Sequence, residues 1–345
     1  MSIEAIERVE RAIQEIKKGK MVIMMDDEDR ENEGDLVYAG TFSTPAMVNF
    51  MAKEARGLIC TPISKEMAIE LDLMPMVANN ISNHETAFTV SIDSTTASTG
   101  ISAGERDDCI SKLANPLTTS SDFVRPGHIF PLIAKDGGVL VRTGHTEGSV
   151  DLCRLAGLAP VGVICEIIKD DGEMARRDDL EVFAKEHDMM IVYISDIVEY
   201  RLANEQLIQK ISEEEIEMMG VKATQVSYED HIGRIHKAVQ FYTIHQTSNV
   251  KFHNIGLDID LILDQKRFES LTLSLEYLKQ NGGVLVFLDT KTISKEQAKE
   301  FGVGAQILKD LGIENIKLLT TNKETEFVGL SGFGLDVVEK IELSS

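Results

Sequence analysis

Short apolar runs alternate with helix-like segments along this chain, and the alternation restricts its fold more than any other feature. Apolar residues between positions 6 and 16 recur at the spacing of one helix face, and the apolar run 21–25 follows directly. A run of that length is typical of a buried strand. Further strand-like runs lie at 139–141, 161–168 and 191–194. This order of elements predicts a layered α/β protein.

The 345 residues are enough for about two domains, each with its own core. We place the boundary in the segment 201–228, which is acidic and helix-like and carries few strand-like runs. Beyond it, the pattern predicts a smaller α/β unit with strands at 283–288 and 316–319 and a helix around 305–309. The expected domains are 1–202 and 206–345.

The chain carries 57 acidic and 35 basic residues, a net charge of −22. Such a charge repels polyanions, so nucleic acid is not an expected partner. No apolar run approaches the ~20 residues that cross a bilayer, and the N-terminus is too charged for a signal peptide. The four cysteines lack C-x-x-C spacing, which predicts reduced, buried thiols. We therefore expect a cytoplasmic protein without a membrane segment.

The densest chemical feature is the acidic run DDEDRENEGD at 26–35, in which seven of ten residues are carboxylates. It directly follows the strand predicted at 21–25, and loops at strand ends are the usual ligand sites of α/β proteins. Carboxylates this close together must bind a cation, share protons or face water. The run therefore predicts a Mg²⁺ or Mn²⁺ site, with a solvated loop as the alternative.

The second feature is RTGHT at 142–146, where a predicted strand leads into a predicted helix. An arginine, hydroxyl groups and the N–H groups of a helix start together suit an anion such as phosphate. Thr146 is the expected N-cap of that helix. The alternative is that His145 is only hydrogen-bonded in a turn.

Five motifs in order resemble the signatures of 3,4-dihydroxy-2-butanone 4-phosphate synthase. They are DDEDRENEGD (26–35), TGISA (99–103), RPGHIFPL (125–132), GGVLVRTGHTE (137–147) and VICE (163–166). The resemblance implies a mixed sheet with flanking helices. It also implies conversion of D-ribulose 5-phosphate to L-3,4-dihydroxy-2-butanone 4-phosphate and formate in riboflavin biosynthesis. That reaction comprises enolisation, dehydration, carbon migration and formate loss.

The same resemblance implies a homodimer with sites near the subunit interface and two Mg²⁺ or Mn²⁺ ions per site. It implies Glu31 and His145 as metal ligands. The implied catalytic residues are Glu33, Asp35, Cys60, His128 and Glu166, with Cys60 on a loop over the site. The implied substrate contacts are Arg30, Glu31, Asp35, Thr99, Arg142, Thr143, Gly144, His145, Thr146 and Glu166. Residues 26–29 are expected to include outer or solvated groups.

The end of the chain resembles GTP cyclohydrolase II in FGVGAQILKDLGIENIKLLTTN (301–322) and GFGLDVVEKI (332–341). That enzyme uses a three-cysteine zinc site and a Gly/Arg-rich loop, but residues 206–345 contain no cysteine, and 287–292 reads FLDTKT where the loop should lie. Its usual zinc site cannot form without thiolates. We predict a degenerate domain without zinc or GTP hydrolysis. The alternatives are a bifunctional enzyme and a structural or regulatory subunit.

Overall fold

The computed structural model describes residues 3–27, 30–82, 86–289, 297–321 and 335–343. The chain divides into an N-terminal unit, residues 2–200, and a C-terminal unit, residues 201–345. Within the described residues, each unit holds a seven-stranded mixed sheet and several helices, which confirms the predicted fold class. None of the described helices is long and apolar enough to span a membrane.

The N-terminal unit alternates strands and helices, as its apolar pattern predicted. Its described elements are α1 (Ile3–Lys17), β1 (Val22–Met25), β2 (Gly34–Ala39), α2 (Pro45–Phe50), β3 (Cys60–Ile63), α3 (Lys65–Glu70), β4 (Ile92–Ser94), α4 (Ala103–Leu113), β5 (Phe123–Ile133), α5 (His145–Leu155), β6 (Gly162–Glu166), α6 (Arg177–Glu186), β7 (Ile191–Tyr193) and α7 (Ile194–Asn204). The strand order is β4-β5-β3-β6-β2-β1-β7. Strand β1 pairs antiparallel with β2 and parallel with β7, so the sheet is mixed.

Strand β1 shows why this sheet lies between two helical layers. All four of its residues are buried: Ile23 and Met25 join the core on one face, and Val22 and Met24 join the core on the other. A strand covered on both faces needs a continuous apolar run rather than an alternating one, and this is the pattern at 21–25. Helices α2, α4 and α6 contribute to the first core, and α1, α5 and α7 contribute to the second.

Helix α5 is buried from His145 to Cys153 and packs closely on β1. Gly148 permits this approach, because a Cβ at that position would lie 2.6 Å from Sδ of Met24. The first residue of the helix, His145, then lies with Nε2 3.2 Å from the Met24 carbonyl oxygen. The packing of α5 therefore brings its N-terminus to the end of β1.

The prediction of a strand at 139–141 is wrong, because Gly138–Leu140 forms a 3₁₀ turn. Asp151 of α5 stabilises the turn by accepting a hydrogen bond from the Val139 N–H at 2.8 Å. Gly138 has a φ of 60°, and a Cβ there would lie 2.2 Å from the Asp151 carboxylate. The glycine and the carboxylate together favour a bend, so this apolar run packs as a buried turn.

The C-terminal unit contains the second sheet. Its described elements are β8 (Ile208–Met218), β9 (Val221–Asp230), β10 (Ile235–Phe241), β11 (Thr247–Ile255), α8 (Asp258–Leu263), α9 (Gln265–Asn281), β12 (Gly283–Asp289), α10 (Gln297–Asp310), β13 (Asn315–Thr320) and β14 (Asp336–Glu342). The strand order is β14-β13-β11-β12-β10-β9-β8. Strands β12, β11, β13 and β14 pair parallel, and the others pair antiparallel. Strands β12 and β13 and helix α10 confirm the elements predicted for this part.

The helical character predicted for 201–228 is wrong beyond Asn204, where α7 ends. Strands β8 and β9 form a hairpin, joined by Met219 and Gly220, which both have positive φ. Glu213, Glu214 and Glu215 lie on β8, an exposed edge strand. Charged side chains at an edge hinder pairing with other chains. The hydrogen bonds to β9 outweigh the helix propensity of these glutamates.

A buried charge cluster links β9, β10 and β12 in the C-terminal unit. The Asp230 carboxylate accepts hydrogen bonds from Nε of Arg234 at 2.7 Å and from Nε2 of His236 at 3.1 Å. Nδ1 of His236 in turn accepts the Asp289 N–H at 3.1 Å. Burial favours the neutral acid, but the hydrogen bonds from His236 and Arg234 outweigh it and hold the pKa of Asp230 well below its usual range. Asp230 is therefore ionised in the folded protein.

We expect Asp230→Asn to lower the free energy of unfolding by about 2 kcal/mol at neutral pH, because the buried His236 and the partly buried Arg234 lose their charged acceptor. A carboxylate whose pKa is depressed by folding stabilises the fold above its unfolded-state pKa and loses that contribution as the pH falls through its folded-state pKa. The difference from the parent protein should therefore shrink below about pH 5. Urea unfolding followed by circular dichroism measures it, with the exposed Asp258→Asn as control. Equal destabilisation by both variants, or a difference independent of pH, would contradict this assignment.

Candidate functional site

The acidic run forms a folded loop between β1 and β2, and Asp26 organises it. The Asp26 side chain is fully buried. Its carboxylate accepts hydrogen bonds from the N–H groups of Glu31 and Glu33, at 3.2 and 2.8 Å, and from Nη1 of Arg30 at 2.7 Å. Arg176 holds the loop from the other side by donating to two of its backbone carbonyls at 2.6 Å each. Asp26 is thus a buried support for the loop rather than a solvated group.

Glu31 and His145 meet where this loop approaches α5. Oε2 of Glu31 lies 3.8 Å from Nδ1 of His145 and accepts a hydrogen bond from Nη1 of Arg30 at 2.7 Å. On the other side of the ring, the Met24 carbonyl is placed to accept a hydrogen bond from Nε2. The backbone of β1 therefore directs Nδ1 of His145 towards Glu31.

Burial and charge act against each other in this pair. Burial disfavours ionised Glu31, but His145 and Arg30 outweigh it and lower the pKa of Glu31 to about 2. Burial also disfavours the imidazolium, but Asp35, Glu31 and Asp26 outweigh it and raise the pKa of His145 to about 9. The surrounding carboxylates thus strongly favour a positive charge at the position of His145.

The donor atoms fit a hard divalent cation. Among the described residues, Asp26, Glu31 and His145 form a group whose ligand atoms lie within 4.8 Å of one another. Oε2 of Glu31 and Nδ1 of His145 lie 3.8 Å apart, near enough for one cation to bind both. A backbone carbonyl on the far nitrogen is the usual partner of a ligating histidine. Binding at Nδ1 would displace the proton that His145 otherwise holds.

Asp35 supplies a buried carboxyl group beside this pair. Its Oδ1 lies 4.0 Å from Nε2 of His145 and has no hydrogen-bond partner within the described structure. Burial, together with the negative charges of Glu166, Glu31 and Glu33, raises the pKa of Asp35 to about 7, although His145 opposes the shift. A carboxyl group with such a pKa can both release and accept a proton near neutral pH.

Glu166 ends β6 directly opposite Asp35 in the antiparallel pairing of β6 with β2. Its Oε2 accepts the Leu58 N–H at 2.8 Å. The neighbouring Gly57 fits tightly, because a Cβ there would lie 2.4 Å from the Glu166 carbonyl oxygen and 2.5 Å from Oε2. Sequence reasoning missed this contact, because no local pattern marks it. We call the region formed by Glu31, Asp35, His145 and Glu166 the acidic pocket.

The segment 142–146 begins α5, but its N-cap is Gly144, not Thr146 as predicted. A Cβ on Gly144 would lie 2.3 Å from Nη1 of Arg142, so the guanidinium folds back over the helix start. Nη1 of Arg142 also pairs with Glu147 at 2.5 Å. Thr143 lies between the arginine and the N-cap, and Thr146 is buried. The arginine and the N-terminus of α5 are thus close together, as an anion site requires.

Cys60 does not lie on a loop, contrary to the expectation. It is the first residue of β3, is 3% exposed, and pairs with Phe130 of β5 and Ile164 of β6. Burial, with smaller contributions from Glu166 and Asp35, raises the pKa of the Cys60 thiol. The thiol therefore stays protonated inside the sheet. Pairing on both sides extends the strand to Cys60, which is why the residue does not lie on a loop.

The structure does not bring His128 or Thr99 to the acidic pocket within one chain. His128 lies on β5, two strands from β6, which carries Glu166, and three from β2, which carries Asp35; at ~4.8 Å per strand these separations correspond to about 10 and 14 Å. Its Nδ1 lies 2.8 Å from Asp93, and the Thr99 hydroxyl donates to Glu105 at 3.1 Å. Sequence reasoning missed Asp93, because a lone aspartate in a strand gives no signal.

Comparison with known proteins gives consistent matches. The profile of the 3,4-dihydroxy-2-butanone 4-phosphate synthase family matches residues 10–200, and that of GTP cyclohydrolase II matches residues 290–342. The 3,4-dihydroxy-2-butanone 4-phosphate synthase of Sulfurospirillum multivorans is 56% identical over 99% of this chain and 96% of its own.

Solved structures match as well. RibBX, a two domain 3,4-dihydroxy-2-butanone 4-phosphate synthase from A. baumannii, covers 98% of this chain and 99% of its own, at 37% identity and a TM-score of 0.81. A 3,4-dihydroxy-2-butanone 4-phosphate synthase in complex with two magnesium ions covers 55% of this chain and 94% of its own, at 41% identity and a TM-score of 0.53.

The matches agree with the position of the motifs. The acidic run, RTGHT and VICE, which are distant in sequence, converge on the acidic pocket. The family profile spans more than half of the chain, and the relative aligns over nearly all of it. The chain belongs to the 3,4-dihydroxy-2-butanone 4-phosphate synthase family.

Proposed function

We propose that this chain converts D-ribulose 5-phosphate to L-3,4-dihydroxy-2-butanone 4-phosphate and formate in the acidic pocket. The observation that carries this is the buried juxtaposition of Glu31 and His145 beside Asp35. A ketose phosphate that is deprotonated next to its carbonyl needs positive charge at its oxygens and several groups that transfer protons. The acidic pocket has ligands for a cation and carboxyl groups in different environments, so it suits both needs.

Glu31 and His145 are the residues that would hold Mg²⁺ or Mn²⁺. The match to a relative that holds two magnesium ions supports two ions per site. When bound, a divalent cation stabilises the negative charge that develops on the substrate's carbonyl and hydroxyl oxygens. Arg30, hydrogen-bonded to Glu31 at 2.7 Å, keeps that carboxylate oriented. We assign Arg30 also to substrate binding.

Asp35, Glu33 and Glu166 are the groups that we assign to proton transfer. The buried carboxyl of Asp35, with a pKa of about 7, can remove a proton from the substrate carbon and return one to a departing hydroxyl. Glu33 is close enough to act on Asp35 electrostatically, and burial, with the charge of Glu31, raises the pKa of Glu33 above its ordinary value. Glu166 lies opposite Asp35 and is fixed by the Leu58 N–H. Several carriers suit a sequence that needs several proton transfers.

Arg142, Thr143, Gly144 and Thr146 form the phosphate site in this proposal. The N–H groups at the start of α5 lack intrahelical partners and favour an anion. The ion pair with Glu147 keeps Arg142 at this position. Because His145 is the first residue of α5, a phosphate bound at this helix start would lie next to a metal ligand. A five-carbon substrate could then bind the phosphate site with one end and the metal site with the other.

Chelation of the divalent cation should abolish formate release from ribulose 5-phosphate, and added Mg²⁺ should restore it. Glu31→Gln removes the charge that binds the cation while keeping the side-chain shape. We expect Mg²⁺ affinity to fall about 100-fold or more, since even outer-shell changes at metal sites cost 10–100-fold. Titration calorimetry with Mg²⁺ measures the affinity, and Glu173→Gln, an exposed acid, is the control. Undiminished Mg²⁺ binding by Glu31→Gln would remove Glu31 from the site.

We propose that the active assembly is a homodimer in which the partner subunit supplies His128 and Thr99. The distance of His128 from the acidic pocket within one chain supports this. The His128 side chain is 44% exposed, so it is available to a second copy. Segments that border β4 and β5 also expose large apolar side chains, a mark of protein interfaces. They are Ile69, Met74, Met76, Val77, Ile81, Ile101, Leu117 and Val124.

Mixed dimers test this arrangement. Glu31→Gln and His128→Ala should each be nearly inactive as homodimers. In a heterodimer of the two variants, one site combines the intact Glu31 of one copy with the intact His128 of the other, so one of two sites regains activity. Differently tagged copies, co-expressed and purified through both tags, provide the heterodimer for a formate assay.

The control for this experiment is a Glu31→Gln dimer that carries both tags, which should remain inactive. If both residues act within one chain, the heterodimer also remains inactive. Size-exclusion chromatography with light scattering establishes the dimer independently, and a monomeric active enzyme would contradict the assignment.

We propose that the C-terminal domain, 206–345, does not hydrolyse GTP and serves regulation or assembly. Its sequence contains no cysteine, and all four cysteines of the chain lie in the N-terminal unit as free, buried thiols. Without thiolate ligands the usual zinc site cannot be built. Free thiols also support a reducing, cytoplasmic location.

An assay of the whole protein with each substrate in turn tests this proposal. We expect formate release from ribulose 5-phosphate and no consumption of GTP by the same preparation. Metal analysis should give no bound zinc. GTP turnover together with one zinc per chain would establish a bifunctional enzyme, and inactivity towards both substrates would favour a structural or regulatory subunit.

A further inference from the structure

Strand β5 is interrupted opposite β4 by a bulge that ends at His128. Ile92 pairs with Ile129, but the next residue, Asp93, pairs with Val124, so four residues of β5 have no partner on β4. Gly127 makes this possible, because a Cβ there would lie 2.0 Å from the Ile92 carbonyl carbon. Bulges commonly redirect a side chain next to an active site. This one turns His128 towards Asp93.

Asp93 binds His128 through both carboxylate oxygens. Oδ1 accepts the backbone N–H of His128 at 2.8 Å, and Oδ2 lies 2.8 Å from Nδ1 of its ring. Asp93 is buried, whereas His128 is partly exposed. Nε2 makes no hydrogen bond with any described residue of the chain. One ring nitrogen is therefore fixed inside the protein, and the other faces outward.

The loop that contains Thr99 packs on this pair. Gly100 has a φ of 79°, and a Cβ there would lie 2.0 Å from Oδ2 of Asp93 and 2.6 Å from Nδ1 of His128. Glu105 holds the loop by accepting the N–H groups of Ser98 and Thr99 at 2.6 and 3.1 Å. The Asp93–His128 pair is thus enclosed on the Nδ1 side.

We propose that Asp93 is a positioning residue that sets the tautomer of His128 for catalysis. A carboxylate can only accept hydrogen bonds, so Nδ1 of His128 must carry the hydrogen and the lone pair must lie on Nε2. Nε2 accepts a proton from a substrate carbon or hydroxyl, the ring becomes an imidazolium, and the same proton returns to the substrate in a later step. The Nδ1 hydrogen stays bonded towards Asp93 throughout. This inference rests on the proposed function, in which His128 reaches the substrate.

The isosteric variant Asp93→Asn separates positioning from packing. Its amide oxygen must still accept the backbone N–H of His128, so its NH₂ group faces Nδ1. Nδ1 then has to accept a hydrogen bond, so the ring hydrogen moves to Nε2. Nε2 can then no longer accept a proton from the substrate. We expect kcat to fall about 100-fold or more with KM changed less than about threefold, since a lost general base costs 10²–10⁴-fold.

Nitrogen NMR of protein labelled at histidine reports the tautomer directly, with the His128 signal assigned by its loss in His128→Ala. The neutral ring should carry its hydrogen on Nδ1 in the parent protein and on Nε2 in Asp93→Asn. Asp196→Asn is the matched control, because Asp196 is equally buried and accepts a hydrogen bond from Arg8. It should leave the tautomer and kcat unchanged even if it lowers stability.

The outcomes separate this inference from the proposed function. An Nε2–H tautomer in the parent protein overturns the inference, and this measurement does not require Asp93→Asn to fold. Full activity of Asp93→Asn with an inverted tautomer also overturns it, while formate release by the parent protein leaves the proposed function standing. Full activity of His128→Ala would instead remove His128 from the reaction.

Discussion

The close packing of α5 on β1 is the contact on which the acidic pocket depends. Gly148 lets the helix approach Met24, and the carbonyl of the same methionine directs the His145 ring. On the other side of the pocket, Asp26 fixes the loop that carries Glu31. Buried backbone and side-chain contacts therefore place the two proposed metal ligands, and neither depends on the exposed part of the acidic run.

Several carboxylates lie close together in a buried region, so nearby positive charges must offset their mutual repulsion. Arg30 and Arg176 neutralise part of the acidic loop, and Arg142 neutralises Glu147. Asp35 retains a buried oxygen without a hydrogen-bond partner in the described structure, which costs about 1–3 kcal/mol. Local features that reduce stability without compensation are most common at functional sites. A bound cation would offset the charge of the buried Asp35 carboxyl, and a polar substrate could donate a hydrogen bond to its Oδ1.

Sequence patterns predicted most of the layered fold and most members of the pocket. The apolar run at 21–25 and the acidic run after it predicted a buried strand that leads to a charged loop, and β1 and its loop have this form. The errors occur where tertiary contacts outweigh local propensity. Glutamates that favour a helix lie in β8 because β9 pairs with them, and the run 139–141 bends because Asp151 caps a turn.

Resemblance to a motif identifies which residues belong to a site. It does not show which copy of the chain supplies each residue, or which contacts orient it. His128 belongs to a motif of the same chain as Glu31, yet sheet order separates the two by three strands. Asp93 lies outside the five motifs because its contact arises from the register shift between β4 and β5. A bulge of this kind depends on pairing between distant segments, so no window of local sequence can report it. The residues that orient a catalytic group are therefore harder to infer from sequence than the group itself, because their role exists only once the sheet has formed.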